Sequence, residues 1–181
     1  FHQLALGIDF RPVEAEREVK SIGDESTMEK DIFDRAEIER QIALHSDVVA
    51  RRLRKKGLSG QAVTLKVRFA SFRTLTRSMT LSEPTRLAED IEKAARILLQ
   101  RIPLSEGVRL IGVTASRLVE GERMMNLFSE SCDRKGKAAA AVDALQEQFG
   151  ERAIRRGLWV EQELKEKAKK SEKNNQPPIM K

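Results

Sequence analysis

Cysteine and histidine are scarce in this 181-residue sequence, which has one cysteine (Cys132) and two histidines (His2 and His45). A single cysteine excludes an intrachain disulfide framework and fits a reducing compartment. Neither the number nor the spacing of these residues matches a zinc site. We therefore expect a cytoplasmic protein whose chain holds no structural metal.

Long apolar runs are missing as well. No run approaches the roughly 18 residues of a membrane-spanning helix, and the sequence has no signal peptide. The chain begins at Phe1 and reads as a fragment of a larger cytosolic protein. We expect no membrane partner.

Acidic residues are absent from Gln61–Leu81, whereas acids and bases are interleaved in most of the chain. The net charge is +6, and this stretch carries Lys66, Arg68, Arg73 and Arg77. Its other polar residues are mainly hydroxyls. This composition is typical of a surface that contacts phosphates, because cations supply charge and hydroxyls supply hydrogen bonds.

The acid-free stretch alternates as a β-strand does. Lys66 and Arg68 share one face with Thr64, and the apolar residues of the other face are Val63, Leu65, Val67 and Phe69. After a break at Ala70-Ser71, hydroxyls recur at every second position, at Thr74, Thr76, Ser78 and Thr80. The break leaves the register of 73–81 open, so this strand exposes either its arginines or its hydroxyls.

Six segments precede the C-terminal region in the order β-α-β-β-α-β. The predicted segments are Val19–Gly23, Asp34–Lys56, 61–70, 73–81, Pro84–Arg101 and Val108–Leu118. The second helix has Pro84 in its first turn and Ser82 or Thr85 as its cap. This order predicts an α+β fold, a four-stranded sheet with two helices on one face. Periodicity over Lys135–Phe149 adds a C-terminal helical extension.

The sequence offers no catalytic site. Its acids, such as Asp34, Glu37 and Asp90, fall on predicted helix surfaces at charge-pairing spacings, away from strand ends where they could hold metal ions. Glycine-rich phosphate loops and nucleophile motifs are absent. A single-stranded RNA module is disfavoured too, because Phe69 has the parity of the buried face and the open face lacks aromatic residues for base stacking.

Two other interpretations of the basic face stay open. Lys66 and Arg68 could belong to the solvated side of a sheet, where charge prevents edge-to-edge aggregation. Alternatively, the chain could be a protein-interaction or dimerisation module whose open sheet face pairs with another domain and does not contact DNA directly.

Several segments together resemble one family. Lys20-Ser21-Ile22-Gly23, the alternating strand from Val63 to Phe69, the strand Val108–Leu118 and the helix before Gly150 resemble the C-terminal part of Y-family translesion DNA polymerases of the DinB, or DNA polymerase IV, type. The resemblance extends from residue 1 to about residue 157, in the same order.

This resemblance implies a domain organisation and a function. Residues 1–17 would be the end of a thumb and a linker, 18–119 the little finger, 120–133 a strap, 134–157 a helical extension and 158–181 a charged, flexible tail. The whole polymerase would copy DNA past damaged bases with two magnesium ions held by its palm, which this chain lacks. The chain would therefore be inactive alone and need no cofactor of its own.

The resemblance also implies partners: primer-template duplex DNA, the remaining palm, fingers and thumb domains, and the sliding clamp. Residues that match the family's DNA contacts are Lys20, Ser21, Gly23, Arg73, Thr74, Thr76 and Arg77, to which the alternation adds Lys66 and Arg68. Residues at the position of the family's clamp-binding peptide are Met124, Met125, Leu127 and Phe128. Met124 and Met125 replace the usual glutamine and leucine of that peptide.

Overall fold

The computed structural model describes residues 2–8, 10, 18–120, 130–150, 153–154 and 157. Its elements, in chain order, are α1 His2–Ala5, β1 Ser21–Ile32, α2 Arg35–Lys55, β2 Leu58–Phe69, β3 Thr74–Thr85, α3 Ala88–Leu99, β4 Val108–Glu120 and α4 Glu130–Phe149. The predicted β-α-β-β-α-β order over β1 to β4 is confirmed. Within the described residues, no helix combines the length and apolar character needed to cross a membrane.

The four strands form one antiparallel sheet in the order β1-β4-β2-β3. The strand β4, the last of the described strands in sequence, is thus inserted between β1 and β2, and β1 and β3 are the edges. Antiparallel strands joined by helices can pack those helices on one face and leave the other to solvent. This arrangement is the predicted α+β fold.

The helix α2 begins and ends with local signals. Asp34 Oδ1 accepts a hydrogen bond from the N–H of Ala36 (3.1 Å), which satisfies an otherwise free donor of the first turn. At the other end, Gly57 adopts a φ of 66°, a left-handed conformation that favours glycine after a helix. The face of α2 that packs on the sheet includes Ile38, Ile42, Val49 and Leu53.

The core lies between the sheet and the helices α2 and α3. Alternate residues of β2 and β4 point into it, and they are Val63, Leu65, Val67, Phe69, Ile111, Val113 and Ala115. Phe69 is completely buried, as its parity predicted. The alternation in β2 therefore decides which face is apolar and which face carries Lys66 and Arg68.

Several boundaries differ from the prediction, and those of β1, β3 and α3 differ for clear physical reasons; α4 also begins earlier than predicted, at Glu130 and not at Lys135. The strand β1 continues to Ile32 instead of ending at Gly23, because the charged residues after Gly23 pair with β4 while their side chains stay accessible at the sheet edge. Pro84 lies in β3 and not in a helix; an edge strand accommodates proline because its outward N–H has no partner to lose. Consequently α3 begins at Ala88, and neither Ser82 nor Thr85 occupies its N-cap position.

The C-terminal helix α4 contacts the helical layer through charges. Arg54 of α2 makes two hydrogen bonds to the Asp143 carboxylate (2.6 and 2.9 Å) and one to the carbonyl of Arg86 (2.9 Å). Lys135 pairs with Glu89 of α3. These contacts attach α4 to α2 and α3, on the side of the sheet that carries the core.

Candidate nucleic-acid interface

We use the term open face for the side of the sheet that α2 and α3 leave uncovered. The strand registers arrange this face in four rows, each crossing β1, β4, β2 and β3 in that order. The rows are Thr27–Leu110–Arg68–Thr74, Glu25–Gly112–Lys66–Thr76, Gly23–Thr114–Thr64–Ser78 and Ser21–Ser116–Ala62–Thr80. Hydroxyls therefore contribute more positions to this face than any other side-chain group, and two cations lie next to each other on β2.

Lys66 has a partner that the sequence analysis missed. Its Nζ lies 2.9 Å from Glu25 Oε2, although β4 runs between the two strands. Gly112 makes this crossing possible, because a Cβ at that position would lie 2.8 Å from Glu25 Cβ. An acid distant in sequence thus enters the face that appeared acid-free along β2.

The register shows which residues of β3 lie on the open face. Val67 pairs with Leu75 and Lys66 pairs with Thr76, so the hydroxyls of β3 belong to the open face. Arg68 supports this alignment by donating from Nε to Thr74 Oγ1 (3.0 Å). The predicted contact residues Thr74, Thr76, Lys66 and Arg68 are therefore brought together.

Arg73 and Arg77 do not share that surface. Arg77 is opposite Leu65, on the helix side of the edge strand, and its Nη1 donates to the carbonyl of Thr76 (3.0 Å). Arg73 lies over the Phe69 ring at 4.9 Å and pairs with Glu106 (3.0 Å). Both arginines remain accessible to solvent, but at the rim of the sheet and not among the hydroxyls.

Arg117 adds a third cation that sequence reasoning did not single out. Its φ is 52°, a backbone conformation rare for residues with a Cβ, within a strand. The side chain crosses β2 and its Nη1 donates to Thr80 Oγ1 (3.3 Å). Alternation along β4 cannot predict this placement, because the left-handed residue interrupts the alternation.

The start of β1 borders the same face. Ser21 lies opposite Ser116 and Gly23 opposite Thr114, whose Oγ1 would be 2.6 Å from a Cβ at Gly23. Lys20 precedes the strand and is exposed. The Gly23 carbonyl accepts a hydrogen bond from Arg52 Nη1 (2.6 Å), which fixes the beginning of β1 to α2.

A polar cluster on the helix side holds β1 in register with α2. His45 is buried, with Nδ1 2.7 Å from Asp24 Oδ2 and Nε2 3.1 Å from Ser26 Oγ. Arg52 Nη2 also pairs with Asp24 (3.0 Å). Because these contacts occupy the helix-side residues of β1, its alternate residues, including Glu25, are directed to the open face.

Two predictions concern metals and the clamp peptide. Among the residues that the structure describes, no group of three or more His, Cys, Asp or Glu side chains could hold a metal ion. Met124, Met125, Leu127 and Phe128 lie outside the described residues. Their clamp-binding role stays a prediction.

Comparison with known proteins identifies the family. Residues 19–127 match the C-terminal domain of the impB/mucB/samB family. This chain belongs to that family. The chain is 44% identical over 139 residues to the DNA polymerase IV of Streptomyces coelicolor and 38% identical over 154 residues to that of Desulfatibacillum aliphaticivorans. The resemblance inferred from the sequence is confirmed.

The matches cover most of this chain but only a minor part of each relative. They include 77% and 82% of this chain but only 29% and 39% of the two relatives. A solved structure described as a complex of the beta-clamp processivity factor and the little finger domain of PolIV is 28% identical, with a TM-score of 0.48, and covers 60% of this chain and 98% of that one.

Proposed function

We propose that this chain is the DNA-gripping little finger of a cytoplasmic translesion DNA polymerase, and that its open face holds the phosphate backbone of duplex DNA near the primer-template junction. The observation that carries the proposal is the composition of this face, in which Lys66, Arg68 and Arg117 stand among rows of hydroxyls. Phosphate oxygens accept hydrogen bonds from all these groups, whatever the base sequence.

The duplex is favoured over a flexible single strand for this face. Most of its residues are short hydroxyls and cations. Phe69, the aromatic residue of β2, is completely buried. Stacking of unpaired bases needs exposed rings, whereas backbone contacts need only donors and charge. Lys20, Ser21 and Gly23 extend the surface at one edge, and Arg73 and Arg77 lie at the other.

Nucleotidyl transfer belongs, in this proposal, to a catalytic palm outside this chain. The magnesium ions of the reaction would be bound by carboxylates of that palm, and the chain described here would position the DNA. Neighbouring palm, fingers and thumb domains would be its partners in the whole polymerase.

A salt titration of DNA binding tests the grip. If four phosphates are engaged, log K for a primer-template duplex should fall against log salt with a slope of roughly −3 to −4, about 0.9 per contact. Lys66→Gln should reduce the magnitude of the slope by about one and weaken binding to all duplex sequences by a similar factor. Lys93→Gln is the matched control, because Lys93 is an exposed lysine of α3 on the opposite side of the domain.

Three results would contradict the proposal. A slope near zero would mean that phosphates are not contacted. Equal effects of Lys66→Gln and Lys93→Gln would mean that net charge, and not the open face, governs the association. If the chain self-associates and duplex DNA does not compete with that association, the dimerisation interpretation would replace the grip.

We further propose that the segment around Leu127 and Phe128 binds the sliding clamp. Two large apolar side chains on a short peptide can insert into a hydrophobic pocket of a partner. The double change Leu127→Ala and Phe128→Ala should abolish clamp binding in a pull-down with purified clamp and leave the DNA affinity unchanged. Undiminished clamp binding would refute this assignment.

A further inference from the structure

Two phenylalanines are exposed at the end of the sheet where β4 begins. Phe33, between β1 and α2, is 78% exposed, and Phe72, in the turn between β2 and β3, is 67% exposed. Gly107 lies next to both segments. Its carbonyl accepts a hydrogen bond from the N–H of Ala70 in the β2–β3 turn (2.8 Å), and a Cβ at Gly107 would lie 2.8 Å from Phe33 Cζ. Both rings therefore border the first residues of β4.

The backbone at Phe72 is unfavourable for a phenylalanine. Its φ is 62°, and its N–H donates to the carbonyl of Phe69 (2.9 Å), while the N–H of Phe69 donates to the carbonyl of Arg73 (2.9 Å). This is a three-residue hairpin loop whose last position is left-handed, a position that glycine occupies with least strain. A bulky residue with positive φ is an outlier that points to a role for its side chain.

A guanidinium covers one side of this ring. Arg109 lies 4.8 Å from the Phe72 centroid and donates two hydrogen bonds to the Asp31 carboxylate (2.9 and 3.0 Å). The hydrogen bonds from the Arg109 guanidinium also hold the pKa of Asp31 below its ordinary value. The bidentate pair holds the Arg109 cation in place against the Phe72 ring.

This cation and ring adjoin the open face. Arg68 and Thr74 form the row nearest to the β2–β3 turn, and Phe72 lies in that turn. Aromatic rings and guanidinium planes are the surfaces on which proteins stack unpaired bases, with little dependence on sequence. A protein partner would also fit exposed aromatics, but the Arg68 cation and the Thr74 hydroxyl beside them favour a nucleic acid.

We infer that Phe72, stacked on Arg109, and the neighbouring Phe33 bind unpaired bases of a single strand that continues from the duplex on the open face. The inference rests on the proposed function and adds to it a second ligand class, single-stranded DNA, at a separate site. It also accounts for a phenylalanine where the hairpin favours glycine.

The test compares three fluorescent DNAs with the full 181-residue chain: a blunt duplex, the same duplex with a single-stranded overhang, and the overhang strand alone. The native chain should bind the overhang duplex roughly fivefold to a hundredfold more tightly than the blunt duplex, the range for one stacked base. A 2-aminopurine in the overhang should lose fluorescence on binding, which is the signature of stacking.

Two variants remove the rings. Phe72→Gly deletes the ring at a position whose backbone suits glycine, so the hairpin should still form, and Phe33→Ala deletes the second ring. Both variants should lose the extra affinity for the overhang duplex and the 2-aminopurine signal, while their affinity for the blunt duplex stays the same. Phe149→Ala is the matched control, since Phe149 is 65% exposed at the end of α4 and should leave both measurements unchanged.

The outcomes separate this inference from the proposed function. Failure of the native chain to bind any duplex would refute the grip, whereas duplex binding with no overhang gain would overturn only the stacking site. An overhang gain retained by both variants would also overturn it. A loss of self-association in sedimentation, with unchanged overhang binding, would assign the rings to a protein contact instead.

Discussion

Removing the charge of Glu25 should strengthen DNA binding. In the free domain the Lys66 ammonium faces the Glu25 carboxylate at 2.9 Å, so a phosphate must replace that carboxylate before it can use the lysine. The change Glu25→Gln keeps the size of the side chain and removes its charge. The expected result is tighter binding to duplex DNA, produced by an acid that lies 41 residues away from the lysine in sequence.

The size of the effect follows from exposure and distance. The side chains of Lys66 and Glu25 are 33% and 50% exposed, so their pairing is worth about 0.2–1 kcal/mol, the range for surface ion pairs. Repulsion between the carboxylate and a phosphate about 6 Å away adds about 0.7 kcal/mol in water, which physiological salt reduces by about half. Together they predict about twofold to tenfold tighter binding.

Fluorescence anisotropy with a labelled primer-template duplex at several salt concentrations measures this difference. Glu147→Gln is the control for net charge, because Glu147 is exposed on α4. Glu25→Gln combined with Lys66→Gln completes a double-mutant cycle, in which the benefit of removing Glu25 should shrink once Lys66 is gone. Unchanged or weaker binding by Glu25→Gln, or a benefit equal to that of Glu147→Gln, would refute this account of the open face.

Three further predictions concern stability. Phe69→Ala should cost about 3–5 kcal/mol in urea unfolding, because the ring is fully buried, and a loss below about 1 kcal/mol would contradict its place in the core. Asp143→Asn should speed hydrogen exchange in α4 selectively, because Arg54 loses its charged partner; unchanged exchange would show that the pair does not attach α4. The lowered pKa of Asp31 contributes stability that is present above about pH 4 and is lost as the pH falls through the folded-state value. In Asp31→Asn, the urea midpoint of unfolding should therefore fall less steeply as the pH is lowered below about 4. An unchanged fall would show that the pair with Arg109 is not its source.

Local patterns in the sequence were sufficient for the fold. The period-two alternation from Val63 to Phe69 and the helical stripe of α2 each follow from backbone geometry, which is the same in any context. The order of the elements then leaves few ways to cover one sheet face with two helices. The boundaries of β1 and α3 were less accurate, because pairing with β4 and the edge position of Pro84 are long-range effects.

The candidate site divides in the same way. Lys66 and Arg68 could be assigned to the uncovered face from β2 alone, since their apolar neighbours must be buried. The sequence could not show which residues of β3 lie on that face, because a change of one residue in the length of the hairpin turn moves every following side chain to the opposite face. Only the pairing of Lys66 with Thr76 placed the hydroxyls, and not Arg77, beside the cations.

By itself, then, the sequence determined the elements, the family and the identity of the buried face. The tertiary structure decided which distant groups meet: Glu25 reaches Lys66 across Gly112, Arg117 crosses β2 from a left-handed residue, and Arg109 covers Phe72. The physical reason is the sequence separation over which each kind of interaction acts. Helix and strand periodicity depends on neighbours a few residues apart, whereas ion pairs and ring contacts depend on register and sheet order, which chain separation does not reveal.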